Sequence, residues 1–309
     1  FVGGFDRPNI TYRVEPKVAP REQLRRFLVG RQGQSGIVYC LSRKRTEEVA
    51  EWLEGEGLRA AAYHAGLGTD RRQRVQDRFL DGSLDVVAAT VAFGMGIDKP
   101  DVRYVVHWDL PRSLEGYYQE PGRAGRDGDP SDAWLLYAPA DVVRVQRLIE
   151  QGENEDIVRV ERAKLSAMSA WAEAGSCRRE ALLRHFGDSE ARPDNCGGCD
   201  VCLDPPEVMD ATEPARMALS CIYRLGQRYG AQHVVDVLLG SKSKKVLERG
   251  HDRLSTYGIG RHLQRELWQA LLRQLVHRGY VIQDLAEWSV LRLAPRCRAL
   301  LAGDETFDM

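Results

Sequence analysis

The chain is 309 residues long, 43% apolar and 29% charged, with a formal net charge of −1. That composition excludes a disordered or collagen-like chain, and the length implies two or three globular domains. No run of 18 or more apolar residues occurs, which excludes a helix of the usual membrane-spanning kind. The start, Phe1 to Asn9, has no initiator Met and no signal-peptide pattern, so a piece of a longer, cytoplasmic protein is expected.

The first ~140 residues alternate strand and helix patterns. Gly36–Leu41 is a continuous apolar run, as in a strand covered on both faces. Thr46–Glu56 reads as a helix with Thr46 as N-cap and Gly57 just past its end. Strands follow at Leu58–Tyr63, Asp85–Thr90, Val102–Trp108 and Ala133–Tyr137, with helices at Thr69–Leu80 and Ser113–Gln119 between them. The alternation predicts an α/β lobe with a doubly wound parallel sheet.

From Pro139 the strand signals stop. Ile157, Val160, Lys164, Leu165, Met168 and Trp171 mark one long amphipathic helix, and a second, Arg178–Phe186, ends at Gly187. Beyond Pro205 and Pro206, helices are predicted at 215–229, 232–239, 243–249 and 262–278. Strands Tyr280–Leu285 and Val290–Leu293 then give the outline of a winged helix. The expected domains are 1–139, 140–208 and 209–309.

Cys177, Cys196, Cys199 and Cys202 are spaced C-x18-C-x2-C-x2-C. In a cytosolic chain this reads as a closed tetrahedral thiolate site for structural zinc; disulfide pairs and an iron–sulfur cluster are the competing readings. Gly197 and Gly198 allow the tight turn that aims the sulfurs together. Cys40, Cys221 and Cys297 lie in apolar surroundings and read as core residues.

Residues 211–309 hold 15 Lys and Arg against 10 Asp and Glu, whereas the first 210 hold 29 against 35. Of seven lysines, three fall together as Lys242, Lys244 and Lys245, with Arg249 close behind. Such a patch suits a polyanion, although a solvated helix face would look the same.

The most informative stretch runs from Gln119 to Gly128, where Arg123 and Arg126 stand three apart in a glycine-broken turn. A guanidinium is always charged and presents a rigid fork matched to phosphate oxygens. Upstream, Val86–Asp98 is a buried-strand pattern entering a Gly-x-Gly turn. The wording of the two blocks, ATVAFGMGIDKP and QEPGRAGRDG, resembles the fifth and sixth motifs of superfamily 2 helicases, in the form found in the RecQ family.

The resemblance extends from Phe5 to the winged-helix pattern. It implies a second RecA-like lobe, a helical zinc-binding subdomain and a winged-helix domain, from an ATP-dependent 3′-to-5′ DNA helicase of repair, recombination, replication and the SOS response. It implies that Arg123 and Arg126 act on the γ-phosphate and that Gly96, Asp98 and Gln119 contact nucleotide. Ser42, Arg43, His64 and Thr90 would contact single-stranded DNA, although a strand-end polar residue satisfied by its own loop is the plain alternative. The lysine cluster would meet duplex DNA. A single-stranded-DNA-binding protein is a possible partner, and a bacterial nucleoid location is implied.

Pro121 departs from the family pattern and is expected to end the preceding helix a residue early and bias Glu120 away from α geometry. Neither a G-x-x-x-x-G-K-[ST] phosphate loop nor a DExH box occurs in the 309 residues. The chain alone is therefore expected not to hydrolyse ATP, which with Mg2+ would need a first lobe. Another superfamily 2 translocase and a non-catalytic zinc and winged-helix DNA-binding module are the rival readings.

Overall fold

The computed structural model describes residues 6–94, 97–188, 195–205, 209–284 and 290–309. In chain order the elements are β1 (Ile10–Pro16), α1 (Pro20–Leu28), β2 (Ser35–Tyr39), α2 (Arg43–Gly55), β3 (Ala60–Tyr63), α3 (Thr69–Leu80), β4 (Val86–Ala89), β5 (Val102–His107), α4 (Leu114–Gln119) and β6 (Ser131–Tyr137). Then come α5 (Pro139–Ile149), α6 (Glu155–Glu173), α7 (Arg178–His185), α8 (Asp200–Leu203), α9 (Thr212–Arg224), α10 (Ala231–Leu238), α11 (Lys244–Glu248) and α12 (Arg265–His277). The chain closes with β7 (Val281–Asp284), β8 (Val290–Leu293) and α13 (Cys297–Ala302).

These divide into two compact units. One is 1–148 with 176–205; the other is 149–175 with 206–309. The first carries a six-stranded sheet in the order β1-β6-β5-β2-β4-β3, every pair parallel. Leu24 and Leu28 of α1 and Val49, Ala50 and Leu53 of α2 pack on one face with Val38, Val86 and Val106. Val75 and Phe79 of α3 pack on the other with Ile37, Val87 and Val105. Because both faces are covered, the strands read as apolar runs, and the expected doubly wound sheet is present.

Two local expectations are corrected. Helix α2 begins at Arg43, and its cap is Ser42, whose Oγ accepts from Arg45 N at 3.2 Å. Thr46 lies inside the first turn, buried, its hydroxyl donating to Ser42 O at 3.0 Å. Likewise α4 runs through Gln119 and Glu120 keeps helical angles, φ −76° and ψ −53°. Pro121 starts a 3-10 turn, Pro121–Arg123, where the missing N–H is no loss. β1, α1, α5, α8 and α13 are elements that the sequence reading did not mark.

In the second unit α9, α10 and α12 surround a core centred on Trp268, closed by the antiparallel pair β7–β8. Leu285, the last residue of the first predicted strand, lies outside the described residues. Helix α6 joins this core: Arg273 of α12 makes a two-pronged ion pair with Glu173 at 2.8 and 2.7 Å, and Gln274 Nε2 donates to Ala170 O at 3.0 Å. No described helix is long and apolar enough to cross a membrane.

Candidate functional site

The two arginines are held differently. The turn that bears them is gripped through its carbonyls: Arg7 donates to Gly122 O and Ala124 O, each at 2.9 Å, and Asn9 Nδ2 to Gly125 O at 2.8 Å. Gly125 has φ +58°, and a β-carbon there would stand 2.4 Å from Asn9 Nδ2, so only glycine fits. Behind the turn, Glu120 Oε2 and His107 Nε2 share a buried hydrogen bond of 2.5 Å. Arg123 is half-buried beside Gly94, and its Nε has no hydrogen-bond partner among the described residues. Tyr39 Oη donates to Phe93 O at 2.8 Å, and burial pushes its phenol well up, so it stays protonated. Arg126 is exposed and reaches Asp98 Oδ1 at 2.7 Å.

Asp98 and Arg126 thus pair with each other, bringing the strand-end block and the arginine turn together. Gly96 lies outside the described residues. Gln119 closes α4, immediately before the Glu120–His107 contact. Thr90 follows β4, and its N–H donates to Tyr63 O at 3.1 Å. With Tyr39, His107, Asp109, Ser113 and Glu120 it lines a cavity of about 370 Å³ at the carboxyl end of the sheet. Ligands of doubly wound sheets gather at that end.

The other strand-end residues are engaged locally. Ser42 caps α2. Arg43 is exposed, its side chain lying against Gly66. His64 is buried: Nδ1 accepts from Gly66 N at 3.2 Å and Nε2 meets Glu47 Oε1 at 3.1 Å. Its ring thus links its own loop to α2.

Cys177, Cys196, Cys199 and Cys202 bring their sulfurs within 4.8 Å of one another. Tetrahedral zinc with ~2.3 Å bonds would hold such sulfurs about 3.8 Å apart, so the donor set fits the metal with little movement. Backbone N–H groups support the sulfurs: Glu180 N points at Cys177, Cys196 N at Cys202 and Gly198 N at Cys196, at 3.5, 3.4 and 3.4 Å. Cys177 caps α7, whose free N–H groups favour a thiolate. A hydrogen bond from Cys177 holds the Cys199 thiol down, to about 4, while the same bond pushes Cys177 up. Gly197 takes φ +61°, and a β-carbon on Gly198 would stand 2.7 Å from the Arg179 guanidinium.

The cysteine loop also finishes the sheet. Tyr12 N donates to Gly198 O at 3.0 Å and Val14 N to Asp200 Oδ2 at 2.9 Å, so the outer side of β1 is covered. Arg179, itself buried, donates to Ile10 O at 2.7 Å.

In the second unit Lys242, Lys244, Lys245 and Arg249 are all exposed around α11, a helix of five residues. Lys244 reaches Glu248 at 3.6 Å, and Lys245 Nζ lies 5.7 Å from the Tyr229 ring centre. Tyr229 stacks on His233, whose Nε2 is 2.8 Å from His251 Nδ1.

Arg7, Asn9, Tyr39, His107 and Glu120 carry no signal in their own neighbourhoods, since each acts on a segment distant in sequence.

Three family models match in succession: the helicase conserved C-terminal domain over 19–128, the RecQ zinc-binding domain over 139–203 and the RQC domain over 205–309. The ATP-dependent DNA helicase RecQ of Haemophilus influenzae is 46% identical over 310 residues, covering 100% of this chain and 50% of that protein. The chain belongs to the RecQ family. Its counterpart in Pasteurella multocida is 44% identical, with 49% of that protein covered. This RecQ-family chain therefore spans about half the length of the curated relatives it matches. A DEAD box protein from Methanococcus jannaschii aligns over 46% of this chain and 39% of its own at 30% identity, with a TM-score of 0.39. The zinc-binding model and the converging thiols agree on a structural zinc as the metal of this RecQ domain.

Proposed function

We propose that the chain is the second motor lobe, zinc module and winged helix of an ATP-dependent 3′-to-5′ DNA helicase. The observation that carries the reading is the arginine turn, braced by Arg7 and Asn9 and joined to Asp98 at the carboxyl end of the sheet. Arg123 and Arg126 stabilise negative charge that builds on a γ-phosphate only in the transition state, a contribution of roughly 10³–10⁵ in rate in phosphoryl-transfer enzymes. Gly96, Asp98 and Gln119 contact the nucleotide. The phosphate loop and the magnesium ligands, which these 309 residues lack, come from a first lobe. Binding and release of ATP between the lobes then moves the strand held near Thr90, Ser42, Arg43 and the His64 loop.

Cys177, Cys196, Cys199 and Cys202 hold one zinc, which cross-links the start of α7 to the loop covering β1. Lys242, Lys244, Lys245 and Arg249 meet duplex phosphates. The chain alone binds DNA and does not turn over ATP. Repair and recombination, a single-stranded-DNA-binding protein as partner and a nucleoid location belong to the same reading.

Arg126→Ala in the full-length protein is expected to remove DNA-stimulated ATP turnover while ATP and DNA binding remain near normal, and Arg123→Ala likewise. Near-normal turnover in both single variants overturns the assignment.

A further inference from the structure

The arginine turn is anchored along most of its length but strained where it begins. From Gly122 onward Arg7 and Asn9 grip its carbonyls, and neither reaches Glu120 or Pro121. A residue that precedes proline is pushed by the proline ring out of α geometry and toward extended backbone. Glu120 precedes Pro121 yet keeps φ −76° and ψ −53°. In that geometry Glu120 O accepts from Arg123 N at 3.2 Å, at the 3-10 turn that delivers the arginine. An extended Glu120 would swing this carbonyl away and redirect the chain that enters Arg123.

His107 opposes that swing. Its Nε2 meets Glu120 Oε2 at 2.5 Å, the one side-chain hydrogen bond of Glu120 among the described residues. His107 ends β5 and is 1% exposed, and its ring packs on Tyr39 and Tyr117, with centres 5.5 and 4.9 Å away. The other ring nitrogen, Nδ1, is buried with no partner among the described residues. A ring that served packing alone would be phenylalanine, which carries no orphan nitrogen; what histidine adds here is the bond to Glu120. Without that bond the Glu120 carboxylate would be buried and lack a donor. Its need for water and the pre-proline clash would then pull residue 120 the same way, out of the helix.

We propose that His107 is a positioning residue for Arg123: by holding Glu120 helical against Pro121 it fixes the entry to the arginine turn. It acts through Glu120 and touches no nucleotide. The kinetic consequence rests on Arg123 acting at a γ-phosphate; the backbone consequence does not.

The variants are H107F, H107Q and H107F/P121A in the full-length protein, each checked by circular dichroism and zinc content. Phenylalanine keeps the ring contacts and deletes the hydrogen bond, whereas glutamine places an amide N–H near the position of Nε2. In H107F, amide hydrogen exchange is expected to accelerate about tenfold or more at Arg123 and Ala124 and to stay unchanged at Val38 and Val106. DNA-stimulated kcat should fall about tenfold or more while KM for ATP stays within about threefold, since a misplacement of about an ångström costs on the order of 10²-fold. H107Q should remain within about threefold of wild type, and P121A, which lifts the clash, should return about tenfold to H107F. Glu120→Ala deletes the same bond without leaving a buried charge and should repeat the loss, which keeps the test open if H107F fails to fold. A loss shared by H107Q, or one that P121A does not relieve, overturns the proposal. So does unchanged exchange at Arg123, or equal acceleration at Val38 and Val106, which would make His107 a general prop of the sheet. Faster local exchange with full turnover overturns it where Arg123→Ala is inactive; where Arg123→Ala is also active, the γ-phosphate role of Arg123 falls instead.

Discussion

A β-carbon on Gly94 would stand 2.5 Å from Arg123 Nη2. Real β-carbons essentially never approach so closely, so the glycine after β4 sets where a half-buried guanidinium can lie. The two sequence blocks are thereby one mechanical unit, linked a second time by Asp98 and Arg126 at 2.7 Å. Gly94→Ala in the full-length protein is expected to displace Arg123 by about an ångström, and misplacement on that scale costs on the order of 10²-fold in rate. Steady-state ATPase assays with DNA present would show kcat falling while KM for ATP changes little. An unchanged kcat would mean that Arg123 does not act from this position.

The cysteine site predicts a metal-dependent sheet edge. Tyr12 N and Val14 N are covered by Gly198 O and Asp200 Oδ2, on the loop that carries three of the four sulfurs. Zinc bound by four thiolates couples directly to the folding of that loop. Purified protein is expected to hold one zinc per chain. On chelation, hydrogen exchange should accelerate at Tyr12 and Val14 well before the centre of the sheet, at Val38 or Val106. Cys177→Ser should give protease-sensitive material. A zinc content of zero or two, or unchanged exchange at β1 after metal removal, contradicts the arrangement.

The covered faces of the sheet were legible because burial on both sides writes continuous apolar runs, as in β2 and β4. The cysteine set was legible because metal ligation fixes a short spacing. What stayed hidden depends on distant partners. Ser42 and Thr46 can both cap a helix, and the choice falls to Ser42 where Leu41 N is held by Asp109 Oδ2 at 3.0 Å, from just past the end of the neighbouring strand β5. Pro121 looked like a helix breaker by local rules. The buried His107–Glu120 contact and the start of a 3-10 turn absorb it instead. Arg7 and Asn9 act on carbonyls more than a hundred residues away, and no window of sequence contains both ends.

The second unit is expected to lose stability on mild acidification. Burial first, then the neighbouring charges of His251 and Lys245, lowers the His233 pKa to about 4, with Asp236 opposing. A histidine whose folded pKa is depressed is held neutral by the fold, while the unfolded chain takes up a proton near pH 6.5. The unfolded state therefore binds more protons between pH 6.5 and 4, and stability falls as pH drops through that window. Thermal melts from pH 7.5 to 4.5 would show this, and His233→Asn should flatten the dependence. An identical pH profile for wild type and variant would place the effect elsewhere.

The final expectation concerns DNA. Lys242, Lys244, Lys245 and Arg249 are exposed, and Lys244 is engaged only loosely, by Glu248 at 3.6 Å. Helix α11 has only five residues, so the attraction to a phosphate rests on these side chains more than on the helix end. Lysine contacts of this kind read the backbone rather than base edges, and sequence preference should be weak. Each phosphate neutralised contributes about 0.9 to the slope of log affinity against log salt. Changing Lys244 and Lys245 to alanine should weaken duplex binding and flatten that slope by roughly one to two units. A solvated basic face remote from DNA would leave the slope unchanged, and that result in a salt titration would remove α11 from the DNA path.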